Sequence, residues 1–81
     1  MVYVLEDDAN IRKLVDYALT REGYSVEGFG TAAEFWAAVG RQTPQLVLLD
    51  IMLPQEDGLS VLQKLRSRSD TRRLPVIMLT A

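Results

Sequence analysis

The 81-residue sequence predicts an α/β fold, a doubly wound parallel sheet with helices on its faces. Three observations carry that prediction. Short apolar runs alternate with segments of helical spacing, and the connections between them are short. Leu46-Val47-Leu48-Leu49 is an unbroken apolar run that stops on Asp50, the pattern of a strand buried on both faces that delivers a carboxylate to its exposed C-terminal end. Val2-Tyr3-Val4-Leu5 is another short apolar strand and runs straight into Glu6-Asp7-Asp8. In open sheets of this kind ligands bind just beyond the carboxyl ends of the strands, so the two acidic strand ends are where a site is expected.

Each element follows in order. After the first strand, Asn10 is the expected N-cap of a helix whose apolar stripe is Ile11, Leu14, Val15, Ala18 and Leu19, with Arg12, Lys13, Asp16 and Arg21 on the other face. Gly23 suits a left-handed C-terminal cap, and Tyr24 begins an extended segment through Val26, with Val26 and Phe29 expected in the core. Thr31-Ala32-Ala33-Glu34 is a capping box. The helix it opens has Ala32, Phe35, Trp36 and Val39 as its apolar face and is expected to end at Gly40. An aromatic pair on a capped amphipathic helix reads as core or edge packing rather than as a platform for stacked bases.

Thr43-Pro44 then leads into the central strand, because a residue before proline resists helical geometry, and Leu53-Pro54 closes it, because proline donates no ladder hydrogen bond. Gln55-Glu56-Asp57-Gly58 is a turn, and Leu59, Val61, Leu62 and Leu65 give a third helix to about Ser67. Lys64, Arg66, Arg68, Arg72 and Arg73 gather around its C-terminal end, where the helix dipole and solvation favour positive charge. Pro75 opens a last strand, Val76 to Leu79, with Val76 and Met78 on one side and Ile77 and Leu79 on the other. Neither an internal repeat nor a low-complexity segment is present, so residues 1–81 read as one domain.

Parallel pairing of the first and central strands would bring Asp50 beside Glu6, Asp7 and Asp8. Carboxylates at close range do not all stay ionised unless protons or a hard cation offset them, and a ligand set made only of oxygen favours Mg²⁺ or a similar ion. Two plainer readings stand beside this one. Asp50 could simply end a strand or cap a turn, and the acidic run could be a solvated turn that favours the N-terminus of the helix after it.

Composition narrows the function classes. Nine basic against eleven acidic residues give a formal charge of −2, which argues against direct non-specific nucleic-acid binding by this segment. Cysteine is absent, which removes disulfides and thiolate metal sites; histidine is absent too, which removes imidazole bases and the usual zinc ligands. A phosphoryl group carried on histidine would therefore have to arrive on another molecule. The chain opens directly into a strand, with no basic leader and no apolar run long enough to span a bilayer, so a cytoplasmic location without membrane contact is expected.

Strand-Glu6-Asp7-Asp8, Leu49-Asp50-Ile51-Met52-Leu53-Pro54, Asp57-Gly58 and Pro75-Val76-Ile77-Met78-Leu79-Thr80-Ala81 occur together in an order and spacing that resembles the receiver domain of two-component response regulators. The resemblance covers the whole chain and is closest to the subfamily that carries a winged-helix DNA-binding domain downstream. It implies a flavodoxin-like sheet of order 2-1-3-4-5, of which this chain would supply four strands in order 2-1-3-4 and three helices. It implies that Asp50 is the phosphoacceptor, a carboxylate nucleophile that takes a phosphoryl group from the phosphohistidine of a sensor histidine kinase. Asp7 then corresponds to the direct Mg²⁺ ligand, Glu6 to the second acidic position that holds the ion through water, and Met52 to a ligand through its backbone carbonyl. Thr80 corresponds to the switch hydroxyl. Asp8 and Ala81 are minor candidates next to the matched positions.

The resemblance also implies parts that this sequence does not contain: a fourth helix, a fifth strand and helix, the site lysine at the end of that fifth strand, and the aromatic switch partner. Lys13 and Lys64 occupy no matching position. The expectation is thus a C-terminally truncated receiver, the N-terminal part of one domain, impaired in phosphorylation. Its last strand becomes an open apolar edge, so a homodimer or higher association through that edge is expected. Two other readings are weighed. An aspartyl-nucleophile phosphatase of the haloacid-dehalogenase type would need a second Asp at the position of Met52, and a vestigial interaction module would bind no Mg²⁺.

Overall fold

The computed structural model describes residues 1–79, so Thr80 and Ala81 lie outside the described residues. Four short strands, β1 (Val2–Leu5), β2 (Val26–Phe29), β3 (Leu46–Asp50) and β4 (Val76–Leu79), form one parallel sheet in the order β2-β1-β3-β4. Three helices connect them: α1 (Ala9–Arg21), α2 (Ala32–Arg41) and α3 (Gly58–Ser67). The order and the element count agree with the expected doubly wound fold. Parallel neighbours need such crossovers because no hairpin joins strands that point the same way.

Side chains alternate across the strands, and the two faces of the sheet are packed unequally. Tyr3, Leu5, Phe29, Val47 and Leu49 project to one face, where α2 adds Phe35, Ala38 and Val39 and α3 adds Val61 and Leu65. Tyr3, Phe29, Phe35 and Trp36 meet edge to face there, with ring centroids 5.1 to 6.3 Å apart. Phe35 is fully buried, as the core reading requires. On the other face Val2, Val4 and Leu48 meet Val15 and Leu19 of α1. No residue of α1 is buried, and the predicted apolar stripe is only half covered, with Ile11 45% and Leu14 67% exposed. The flank of α1 that carries Val15 and Leu19 leans on β1 and β2, whereas the flank that carries Leu14 does not.

Several boundaries differ from the sequence reading for identifiable reasons. The N-cap of α1 is Asp8, not Asn10, because the Asp8 carboxylate accepts the N–H groups of Asn10 at 2.8 Å and Ile11 at 3.1 Å. Gly23 does take the left-handed conformation, with φ 94°, and the Tyr24 N–H is spent on the Leu19 carbonyl in the same cap. Tyr24 is consequently outside the sheet, and β2 begins at Val26. Thr31 caps α2 as expected, its hydroxyl oxygen accepting the Glu34 N–H, while the Glu34 carboxylate accepts from that hydroxyl rather than from the Thr31 amide. Gly40 does not stop α2, which continues to Arg41. On α3, Leu59 is 50% exposed, because Val61 and Leu65 form the buried stripe.

Three of the basic residues near the end of α3 are tied down locally. Lys64 pairs with Glu56, Arg68 with Asp70, and Arg66 donates to the carbonyls of Arg72 and Leu74. No helix among the described residues is long and apolar enough to cross a membrane.

Candidate functional site

Leu5 of β1 pairs with Leu49 of β3, so Glu6, the first residue beyond β1, and Asp50, the last residue of β3, lie at the same edge of the sheet. The Glu6 N–H still donates to the Phe29 carbonyl at 3.0 Å, which carries the sheet pattern one residue beyond the end of β1. Glu6, Asp7 and Asp50 each place a carboxylate oxygen within 4.8 Å of the others. Asp8 stands apart from that group, because its carboxylate is committed to the first turn of α1.

The three carboxylates differ in exposure. Asp7 is exposed, whereas Asp50 retains 6% and Glu6 5% of its accessible surface. The sequence led us to expect Asp50 at an exposed strand end; it is buried because β1 and β4 flank β3 and because the backbone of Gly58 presses against it. A Cβ on Gly58 would lie 2.1 Å from the Asp50 carbonyl oxygen and 2.7 Å from the Ile51 Cα. Only glycine allows this approach, which brings the Gly58 N–H to the Ile51 carbonyl at 2.9 Å.

Hydrogen bonds orient the acids. The Met52 N–H donates to Asp50 Oδ1 at 3.1 Å, and the Asp8 N–H donates to Glu6 Oε2 at 3.2 Å. Crowding has an electrostatic result: burial first, then the adjacent Asp50 carboxylate, push the Glu6 carboxyl up from 4.5 to about 7. Beside the acids lies an open cleft of about 580 Å³, lined by Asp7, Met52, Leu53, Pro54 and Asp57 among others, through which a solute reaches Asp7.

Sequence reasoning placed Glu6, Asp7 and Asp50 together, and the structure does so too. Met52 lies beside them with its amide on Asp50 and its side chain 71% exposed. The switch candidate Thr80 and its neighbour Ala81 fall outside the described residues. Two contributors went unrecognised. Gly58 read as a turn residue and as part of the motif that carries the resemblance, with no contact assigned to it, although its backbone lies directly against Asp50 and Ile51. Arg12 read as a solvent-facing charge, although its guanidinium donates to the Glu6 carbonyl at 2.7 Å.

Known proteins share both the sequence and the backbone. The transcriptional regulatory protein GltR of Pseudomonas aeruginosa is 38% identical over 80 residues, which cover 99% of this chain and 33% of GltR. The probable transcriptional regulatory protein TcrX of Mycobacterium tuberculosis is 42% identical over 80 residues, again 99% of this chain and 33% of TcrX. The chain thus spans about a third of the length of these curated relatives. Among solved structures, the N-terminal domain of a response regulator receiver protein from Methanoculleus marisnigri JR1 superposes with a TM-score of 0.93 at 35% identity, over 99% of this chain and 65% of that one. The receiver domain of NtrX from Brucella abortus gives 0.88 at 34% identity, over 96% and 65%. Residues 2–81 match the response regulator receiver domain as a family, and with the sheet order and the acidic edge in agreement, the chain belongs to that family.

Proposed function

We propose that this chain is the N-terminal, phosphoacceptor part of a receiver domain in a two-component response regulator. Asp50 receives a phosphoryl group from the phosphohistidine of a sensor histidine kinase, and the product acts on a DNA-binding, transcription-regulating part of a longer protein. The single observation that carries the reading is the convergence of Glu6, Asp7 and Asp50 at the edge where two parallel strands end. In the transfer, an Asp50 carboxylate oxygen forms a bond to phosphorus, the phosphorus–nitrogen bond of the donor breaks, and the departing imidazole nitrogen keeps the electron pair and takes a proton from solvent. The Met52 amide on Oδ1 helps to orient the carboxylate for attack.

The donor set fits Mg²⁺: its side-chain ligands are all carboxylate oxygens, and the Met52 backbone carbonyl would add another oxygen. Asp7 would hold the ion directly, Glu6 through water, with Asp50 and the Met52 carbonyl completing the protein ligands. When bound, the ion neutralises charge on the phosphoryl oxygens. Thr80 is assigned the switch hydroxyl. A cytoplasmic location goes with a kinase donor and a DNA-directed output.

Two further points belong to the reading. Lys64 is paired with Glu56 and Lys13 lies exposed on α1, so neither is supported as a phosphoryl contact and labelling by a small phosphoryl donor is expected to be slow. Among the described residues the outer edge of β4 has no partner strand, and we assign to it self-association into a homodimer or larger assembly. The test is Mg²⁺ titration followed by amide shifts. Millimolar-range Mg²⁺ should move the signals of Asp7, Asp50 and Met52, and Asp50→Asn should weaken binding and abolish acyl phosphate. A titration that moves none of them would reject the site.

A further inference from the structure

Between α1 and β2 lies a slot that leads to the backbone of the acidic edge. Arg12 runs across Gly28 of β2 and Gly30 just beyond that strand, which present no side chain: a Cβ on Gly28 would lie 2.9 Å from the Arg12 Cγ and 3.0 Å from its Cδ, and one on Gly30 would lie 3.2 Å from its Nη1. The arm ends on backbone oxygens, Nη1 donating to the Glu6 carbonyl at 2.7 Å and reaching the Asp7 carbonyl at 3.5 Å. Among the described residues the ion pairs are Lys64 with Glu56 and Arg68 with Asp70, so the Arg12 guanidinium is not committed to a carboxylate. Its partners are the carbonyls of two of the three residues whose side chains make the acidic cluster.

We propose that Arg12 is a positioning residue for the metal and phosphoryl site, and that Gly28 and Gly30 serve to seat its arm. The inference rests on the Mg²⁺ reading given above. Glu6 and Asp7 are the first residues beyond β1, where the regular strand ends and the carboxylates crowd together. A guanidinium is a planar, permanently charged donor, well suited to hold carbonyls in place. Fixing those two carbonyls fixes the directions in which the Glu6 and Asp7 side chains leave the backbone. Arg12 also sets a positive charge behind the acidic turn without neutralising any carboxylate that a cation needs. Gly28 matters because a methyl group there meets the middle of the arm, not its movable tip, so the arm has to leave the slot.

Calorimetric Mg²⁺ titration of the full chain, with thermal unfolding in chelator as a control, tests this. Arg12→Ala should weaken Mg²⁺ binding about tenfold, the scale of losses on removing groups that orient ligands. Arg12→Lys, which keeps one donor, should recover part of that. Gly28→Ala should weaken binding with little loss of thermal stability, and in the Arg12→Ala background the same substitution should have no further effect, because the arm it displaces is gone. Unchanged affinity in Arg12→Ala, or a Gly28→Ala effect that persists without Arg12, would overturn the proposal. If Arg12→Ala does not fold, Gly28→Ala and Arg12→Lys decide it alone. Absence of Mg²⁺ binding by the unmodified chain would overturn the metal reading itself, and this proposal with it.

Discussion

The backbone of Gly58 is packed so tightly against Asp50 that a single added carbon would sit 2.1 Å from the Asp50 carbonyl oxygen. The first turn of α3 and the end of β3 are therefore one mechanical unit, and what disturbs the helix start disturbs the acid.

Gly58→Ala is expected to be among the most damaging single substitutions in the chain. Relieving the overlap requires a backbone shift, which costs about 1–3 kcal/mol. Chemical denaturation should show the loss, and amide spectra should show the largest changes at Asp50, Ile51 and Met52.

Asp8→Ala should separate the acid that caps α1 from the three that cluster. Losing the cap of α1 costs about 1 kcal/mol, read as a lower unfolding midpoint. Mg²⁺ affinity should stay nearly unchanged, since the Asp8 carboxylate lies outside the cluster.

Stability should depend on pH through Glu6. Its carboxyl titrates near 7 in the folded chain against 4.5 ordinarily, so between those values the folded state holds more protons than the unfolded state. The associated stability is fully present below about 4.5 and is lost as pH rises through about 7. In chelator the unfolding midpoint should fall across that window, and Glu6→Gln should flatten the profile.

Self-association should respond to Ile77, which is 52% exposed on the edge strand. Ile77→Lys places a charge on that edge and should give a monomer in sedimentation at concentrations where the unaltered chain associates. Monomeric sedimentation of both proteins would rule the association out.

Most of the architecture was legible because parallel strands buried on both sides leave unbroken apolar runs, and because glycine, proline and capping residues mark their ends. Asp50, Glu6 and Asp7 were legible because each follows directly on such a run. What periodicity does not encode is who meets whom across the fold. Asp8 as the cap in place of Asn10 depends on which carboxylate is left over once the cluster has formed. The half-covered stripe of α1 depends on where the helix crosses the sheet, and the passage of α2 beyond Gly40 shows that glycine in a helical conformation carries no instruction to stop. Arg12 was unreadable for a like reason: its partners are two glycines and two carbonyls, none with a side chain that marks it.

The parallel pairing of β1 with β3 has a kinetic consequence. Its strands are far apart in the chain, no hairpin can nucleate their contact, and the entropy of closing the long intervening segment has to be overcome before the pairing yields any return. Glu6 and Asp50 meet only when that loop closes, so their mutual repulsion is absent from the unfolded chain and falls on the closing step. Refolding is therefore expected to quicken as pH falls through about 7, where Glu6 takes up its proton and the charge at the two meeting strand ends drops.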